Sequence, residues 1–115
     1  MITGAHVIIE SGDPDADRAF VRDVLGFESV DAGGGWLIFA LPQSELAFHP
    51  GANGRHQLYL MCDDLQATLR ELARKGVKVN EEVSDQRWGR LASFRLPGGG
   101  EVSIYQPKHA SLPRS

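Results

Sequence analysis

His6-Val-Ile-Ile-Glu-Ser-Gly-Asp13 and His56-Gln-Leu-Tyr-Leu-Met-Cys-Asp63 stand fifty residues apart, and comparing the two decides how the rest of the chain is organised. A shift of fifty sets His6 on His56, Asp13 on Asp63, Gly26 on Gly76 and Phe27 on Val77. Further along, the offset grows to fifty-five and fifty-six, which a few inserted loop residues explain. There Phe39 falls on Phe94, Leu41-Pro42 on Leu96-Pro97, and Glu45 through Pro50 on Glu101 through Pro107. Matches that keep their order through both halves mark a tandem duplication, with each copy one supersecondary unit.

Each copy has the same local grammar. Residues 5–11 are β-branched and partly alternating, which predicts a strand. Asp13-Pro14-Asp15 places proline and acidic side chains where a helix N-terminus favours them. Ala16, Phe20, Val24 and Leu25 recur at helical spacing, and Gly26 closes the helix. The second copy repeats this with a strand over 56–62, Asp63-Asp64 as the cap, Leu65, Leu69, Leu72 and Ala73 as the apolar stripe, and Gly76 as the stop. Three strands follow each helix: near 27–31, 35–41 and 45–49, then near 77–83, 90–96 and 101–105. The prediction is an α+β fold in which tandem βαβββ modules form a curved mixed sheet around a concave cleft, helices on the outer face. It is a single domain over residues 1–115, with module 1 at about 5–50, module 2 at about 55–107, and a tail at 108–115.

Strand parity then sorts side chains between the helix-covered face and the cleft. Val7 and Ile9 are expected toward the helix, leaving His6, Ile8 and Glu10 on the other face. Analogy through the repeat places His56, Leu58 and Leu60 with His6, and Gln57, Tyr59 and Met61 toward the helix. Leu46, Phe48, Val102 and Ile104 read as core. Glu45, Ala47 and His49, with Glu101, Ser103 and Tyr105, then fall on the open face. Trp36, Ile38 and Ala40, and Leu91, Ser93 and Arg95, are expected to share it. Apolar walls with a few convergent polar groups describe a small-molecule site.

Composition narrows the function classes. A net charge of −3 with interspersed signs lacks the basic patch that nucleic acid or an anionic membrane surface requires. No apolar run approaches the roughly 20 residues of a membrane span. No basic region followed by an apolar stretch opens the chain, so a cytoplasmic protein is expected. Cys62 stands alone, which excludes an intrachain disulfide and a thiolate-rich zinc site. The glycines at 33–35 and 98–100 do not join a strand to a helix N-terminus, so they read as hairpin turns rather than phosphate loops.

The arrangement resembles the vicinal oxygen chelate superfamily, which includes glyoxalase I, the bleomycin- and fosfomycin-resistance proteins and the type I extradiol dioxygenases. The resemblance is carried by His6 through Asp13, Ala19-Phe20, Asp23-Val-Leu-Gly-Phe27, His56 through Leu65, Arg87-Trp88-Gly89 and Leu96-Pro-Gly-Gly-Gly-Glu101, nearly the whole chain. In metal-dependent members a histidine on a module's first strand is joined by a carboxylate on its last strand. His6 and His56 match the histidines. The carboxylate position falls on Ser103 and, by the repeat, on Ala47, neither of which is a usual ligand. Glu101 and Glu45 lie two residues earlier on the same predicted faces, roughly 7 Å along the strand, while His49 and Tyr105 lie two residues later.

Two functions follow from the resemblance. In one, a divalent ion (Zn, Fe, Mn or Ni) held by His6, His56 and Glu101 chelates vicinal oxygens of a small organic substrate in a lyase or oxygenase reaction, with Glu101 or Glu45 as ligand or proton shuttle. In the other, a metal-free protein sequesters a drug-like or aromatic metabolite between Trp36, Tyr105 and the apolar wall, with His49, Arg95 and Ser103 lining the cleft. The resemblance also implies a C2 homodimer in which modules of two chains complete each cleft.

Overall fold

The structure, a computed structural model, describes residues 6–44, 46–48, 50 and 56–109. Helix α1 (Pro14–Phe20) starts where expected. The Asp13 carboxylate accepts from the Ala16 amide at 3.2 Å, and Pro14 occupies the first helical position. The helix widens into a π-helical turn over Val21–Leu25, which Gly26 ends with a left-handed φ of 74°. Helix α2 (Leu65–Arg74) is capped in the same way by Asp64, whose carboxylate accepts from the Ala67 amide at 3.1 Å, and Gly76 follows it at a φ of 85°. The two glycines that align in the repeat therefore do the same job, reversing the chain where a Cβ would be strained.

Two sheets form. Strands β1 (Ser29–Asp31) and β2 (Leu37–Phe39) make an antiparallel hairpin. Its turn is held by Gly33 N–H donating to Asp31 Oδ1 at 2.8 Å. Strands β3 (Tyr59–Met61), β4 (Val79–Gln86), β5 (Gly89–Arg95) and β6 (Glu101–Pro107) make a four-stranded sheet in the order β3-β6-β5-β4. Strand β3 runs parallel to β6 and the other pairs are antiparallel, as a βαβββ unit requires when its helix crosses over one face.

The core lies on that face. Leu65, Leu69 and Leu72 of α2 pack on Ala92 and Phe94 of β5 and on Val102 and Ile104 of β6. Helix α1 covers the same core, burying Phe20 with its ring stacked on Phe94 at 5.9 Å. A polar clasp fixes α1 there. Asp17 accepts from the Gly98 amide in the β5–β6 turn at 2.7 Å and from Ser11 Oγ at 2.6 Å.

Three expectations are corrected. Residues 6–11 and 46–48 lie outside any strand ladder. Their apolar side chains are solvent-facing, with Ile8 81 % and Phe48 91 % exposed, although Val7, Ile9, Leu46 and Phe48 read as core. The physical reason is that α1 is committed to the second module's core, so the described part of the first module has no helix to cover it. A lone two-stranded hairpin offers little to pair against. The third correction is the phase of β3. Leu60 pairs in register with buried Ile104 and packs against the core, so Tyr59 and Met61, opposite Ser103 and Tyr105, lie on the open face. Glu45 and His49 lie outside the described residues.

Candidate ligand site on the open sheet face

The sheet register builds the site. Cross-strand partners share a face, so Leu91 opposite Tyr105, Ser93 opposite Ser103 and Arg95 opposite Glu101 lie on the side away from the helices. Their neighbours Ala92, Phe94, Val102 and Ile104 are buried beneath α1 and α2. Strand β3 extends the open face with Tyr59 and Met61.

Two regions meet on this face. At the Glu101 end lies a concavity of about 300 Å³, lined among others by His56, Tyr59, Glu101 and Ser103, with Ile9 reaching it from the first module. At the Tyr105 end is an aromatic cluster. Tyr105 meets Tyr59 edge-on with ring centroids 5.7 Å apart and Trp88 edge-on at 5.6 Å, and Tyr59 and Trp88 are 6.3 Å apart. The Tyr105 hydroxyl donates to Met61 Sδ at 3.3 Å and meets His109 Nε2 at 3.2 Å. Gly89 makes the packing possible, since a Cβ there would stand 2.9 Å from the Tyr105 ring and 2.8 Å from the Gln106 carbonyl. Tyr59 belongs to both regions and joins them.

Of the residues singled out from the sequence, His56, Glu101 and Ser103 line one concavity, and Tyr105 stands beside it. Arg95 is opposite Glu101 in register, but its guanidinium donates to the Gly99 carbonyl at 3.2 Å. Trp36 is 62 % exposed and its ring lies 4.6 Å beneath the Arg18 guanidinium of α1. His6 is exposed and is not among the lining residues. Among the described residues no three His, Cys, Asp or Glu side chains come together closely enough to hold a metal ion, so the described part of one chain does not fit the expected three-ligand set. Cys62 is half-buried, and burial pushes its thiol pKa up, which disfavours the thiolate a nucleophile needs.

Sequence reasoning missed Tyr59 and Trp88 as members of the site. For Tyr59 a signal existed, because Leu58, Leu60 and Cys62 are the more apolar alternation of that strand and belong toward a helix. Trp88 sits in the β4–β5 turn immediately before Gly89, and only the folded register brings it to Tyr105.

Comparison with known proteins supports this architecture. Three similar solved structures share the fold. TnmS3, an antibiotic binding protein from Streptomyces sp. CB03234, is 24 % identical with a TM-score of 0.68 over 93 % of this chain and 98 % of that one. A lactoylglutathione lyase from Agrobacterium tumefaciens is 21 % identical with a TM-score of 0.66 over 90 % and 92 %. A glyoxalase/bleomycin resistance protein/dioxygenase superfamily member from Sphaerobacter thermophilus DSM 20745 is 19 % identical with a TM-score of 0.65 over 91 % and 98 %. No curated protein matches. No helix among the described residues is long and apolar enough to cross a membrane. The profile of one family matches residues 4–104, which establishes that the chain belongs to the Glyoxalase/Bleomycin resistance protein/Dioxygenase superfamily.

Proposed function

We propose that this protein binds a small organic molecule on the open face of the second module's sheet, as a sequestering or carrier protein working as a homodimer. The observation that carries this reading is the convergence of His56, Tyr59, Glu101 and Ser103 on one concavity with an aromatic cluster at its edge. Polar groups set into an apolar surround fix a ligand's orientation while the rings supply contact area. The exposed Ile8, Leu46 and Phe48 support a second copy of the chain over the first module, because large apolar side chains left this open to water favour association.

The test is thermal stabilisation by a library of small organic compounds, comparing wild type with Ser103→Trp, whose indole would fill the concavity. A ligand at 100 times its Kd stabilises the folded state by about 2.7 kcal/mol, a shift of several degrees for a domain of this size. Compounds that raise the wild-type Tm are expected to leave Ser103→Trp unmoved. Equal shifts in both proteins, or none in the wild type, would sink the proposal.

A second reading is favoured by His56 and Glu101 lining the same concavity. A divalent Zn, Fe, Mn or Ni ion would take these two donors, with a third supplied across the dimer. Elemental analysis of wild type and a His6→Ala/His56→Ala double variant decides: near-stoichiometric metal lost in the variant supports this reading, and none after reconstitution removes it.

A further inference from the structure

Three rings that touch one another beside a carboxylate define a more specific ligand than a generic cleft does. Tyr59, Trp88 and Tyr105 are mutually in contact at 5.6–6.3 Å with interplanar angles of 48–78°, so they pack as one aromatic platform at the edge of the concavity. The platform is preorganised. Tyr105 is fixed through its hydroxyl by Met61 and His109, and its ring fills the space that Gly89 leaves open. Trp88, at 43 % exposed, keeps part of its indole open to a ligand. Each edge-to-face contact sets the edge of one ring on the face of another, so the ring surface left for a ligand is the part no neighbour covers. Above all this is the open part of the Trp88 indole, whose electron-rich face attracts a flat ring or a positive charge.

The polar end of the same face is acidic. Among the described residues lining the concavity that Tyr59 joins to the platform, Glu101 is the one formally charged side chain. The nearest cross-strand cation, Arg95, has its guanidinium on the Gly99 carbonyl. An anionic ligand would meet a carboxylate there, whereas a donor-bearing or protonated amine would find Glu101 and Ser103 as acceptors.

We propose that the open face takes a planar aromatic amine, its ring system on the Tyr59–Trp88–Tyr105 platform and its nitrogen toward Glu101 and Ser103. This rests on the reading of that face as a small-molecule site and adds the ligand's chemical class.

The experiment uses three probes on the full chain: 9-aminoacridine as a planar cation, pyrene-1-sulfonate as a planar anion, and cyclohexylammonium as a cation without a ring face. Calorimetry gives a Kd for each with wild type, Trp88→Leu, Tyr59→Leu and Glu101→Gln, folding being checked by circular dichroism. Wild type is expected to bind 9-aminoacridine most tightly. Either leucine variant keeps apolar bulk but loses the ring face, and should raise that Kd about tenfold. Glu101→Gln should raise it about threefold, since the carboxylate is exposed and screened. Binding of 9-aminoacridine that ignores both leucine variants would mean adsorption to the other apolar surface, and overturns the inference. So does pyrene-1-sulfonate bound as tightly as the cation, or no binding of 9-aminoacridine at all. If no planar amine binds while library compounds still stabilise wild type but not Ser103→Trp, the site reading stands and only the ligand class is wrong. If no probe and no library compound registers at that site, both fall.

Discussion

At the scale of single residues, burial separates substitutions that look alike in the sequence. Leu65, the first residue of α2, is fully buried and Phe48 is 91 % exposed, yet both read as core hydrophobes. Leu65→Ala is expected to cost about 2–5 kcal/mol in urea unfolding, because it removes packed methyl groups and leaves a cavity. Phe48→Ala should stay within about 0.5 kcal/mol in dilute protein where chains are separate, and cost more as concentration rises. Equal costs at low concentration would contradict the burial described. Asp64→Ala removes the carboxylate that accepts from Ala67 and should cost about 1 kcal/mol, visible as a lower Tm. The caps and stops of both helices were legible in Asp13, Gly26, Asp64 and Gly76, because a helix terminus is decided by orphan backbone groups within one turn. The phase of β3 was not, because phase-matching His56 to His6 outweighed the apolar alternation of Leu58, Leu60 and Cys62. A duplication preserves order along the chain without guaranteeing that each face is preserved.

At the scale of elements, α1 is where the fold departs most from a plain repeat. Its Phe20 enters the second module's core, and its Asp17 holds the β5–β6 turn through Gly98. Asp17→Ala leaves the Gly98 amide and Ser11 hydroxyl without this partner, at a cost of about 1–3 kcal/mol. Hydrogen exchange should then speed up at Gly98 and along α1, while α2 stays protected; unchanged protection at both places would show that the clasp is incidental. The segment after β6 is tied down differently. Lys108 pairs with Asp85 on β4, and its ammonium holds the Asp85 carboxyl below the usual carboxylate range. A carboxyl lowered in the folded state contributes stability that is present above its unfolded value of about 4 and lost as pH falls through the lower folded value. Acidification below about pH 4 should therefore loosen the Lys108–His109 segment. In Lys108→Ala the Asp85 titration followed by NMR should move up toward the unfolded value, and a curve that does not move would remove the pairing.

At the scale of the whole molecule, the described chain is more open than its length requires. Its radius of gyration is 15.1 Å, against roughly 13 Å for a compact domain of this size. Among the described residues, most of the exposed large apolar side chains belong to the first module, the half left uncovered when α1 crosses to the second. We therefore predict that light scattering will give twice the 12.6 kDa chain mass at tens of micromolar. Leu46→Glu/Phe48→Glu should bring it to the single-chain mass, because charge at the centre of an apolar contact is left unpaired. A monomeric wild type at that concentration would end the dimer proposal.

The sequence by itself determined the duplication, the two helices with their caps and stops, and the second module's sheet with Val102 and Ile104 as core. All of these follow from interactions within a few residues or from a pattern repeated along the chain. Only the tertiary structure decided which sheet α1 covers, which face Tyr59 takes, and that Trp88 comes to stand beside Tyr105. These depend on which strand pairs with which neighbour and which helix reaches the core first. Such choices are made by competition among distant segments for the same apolar surface, and no local signal records the outcome.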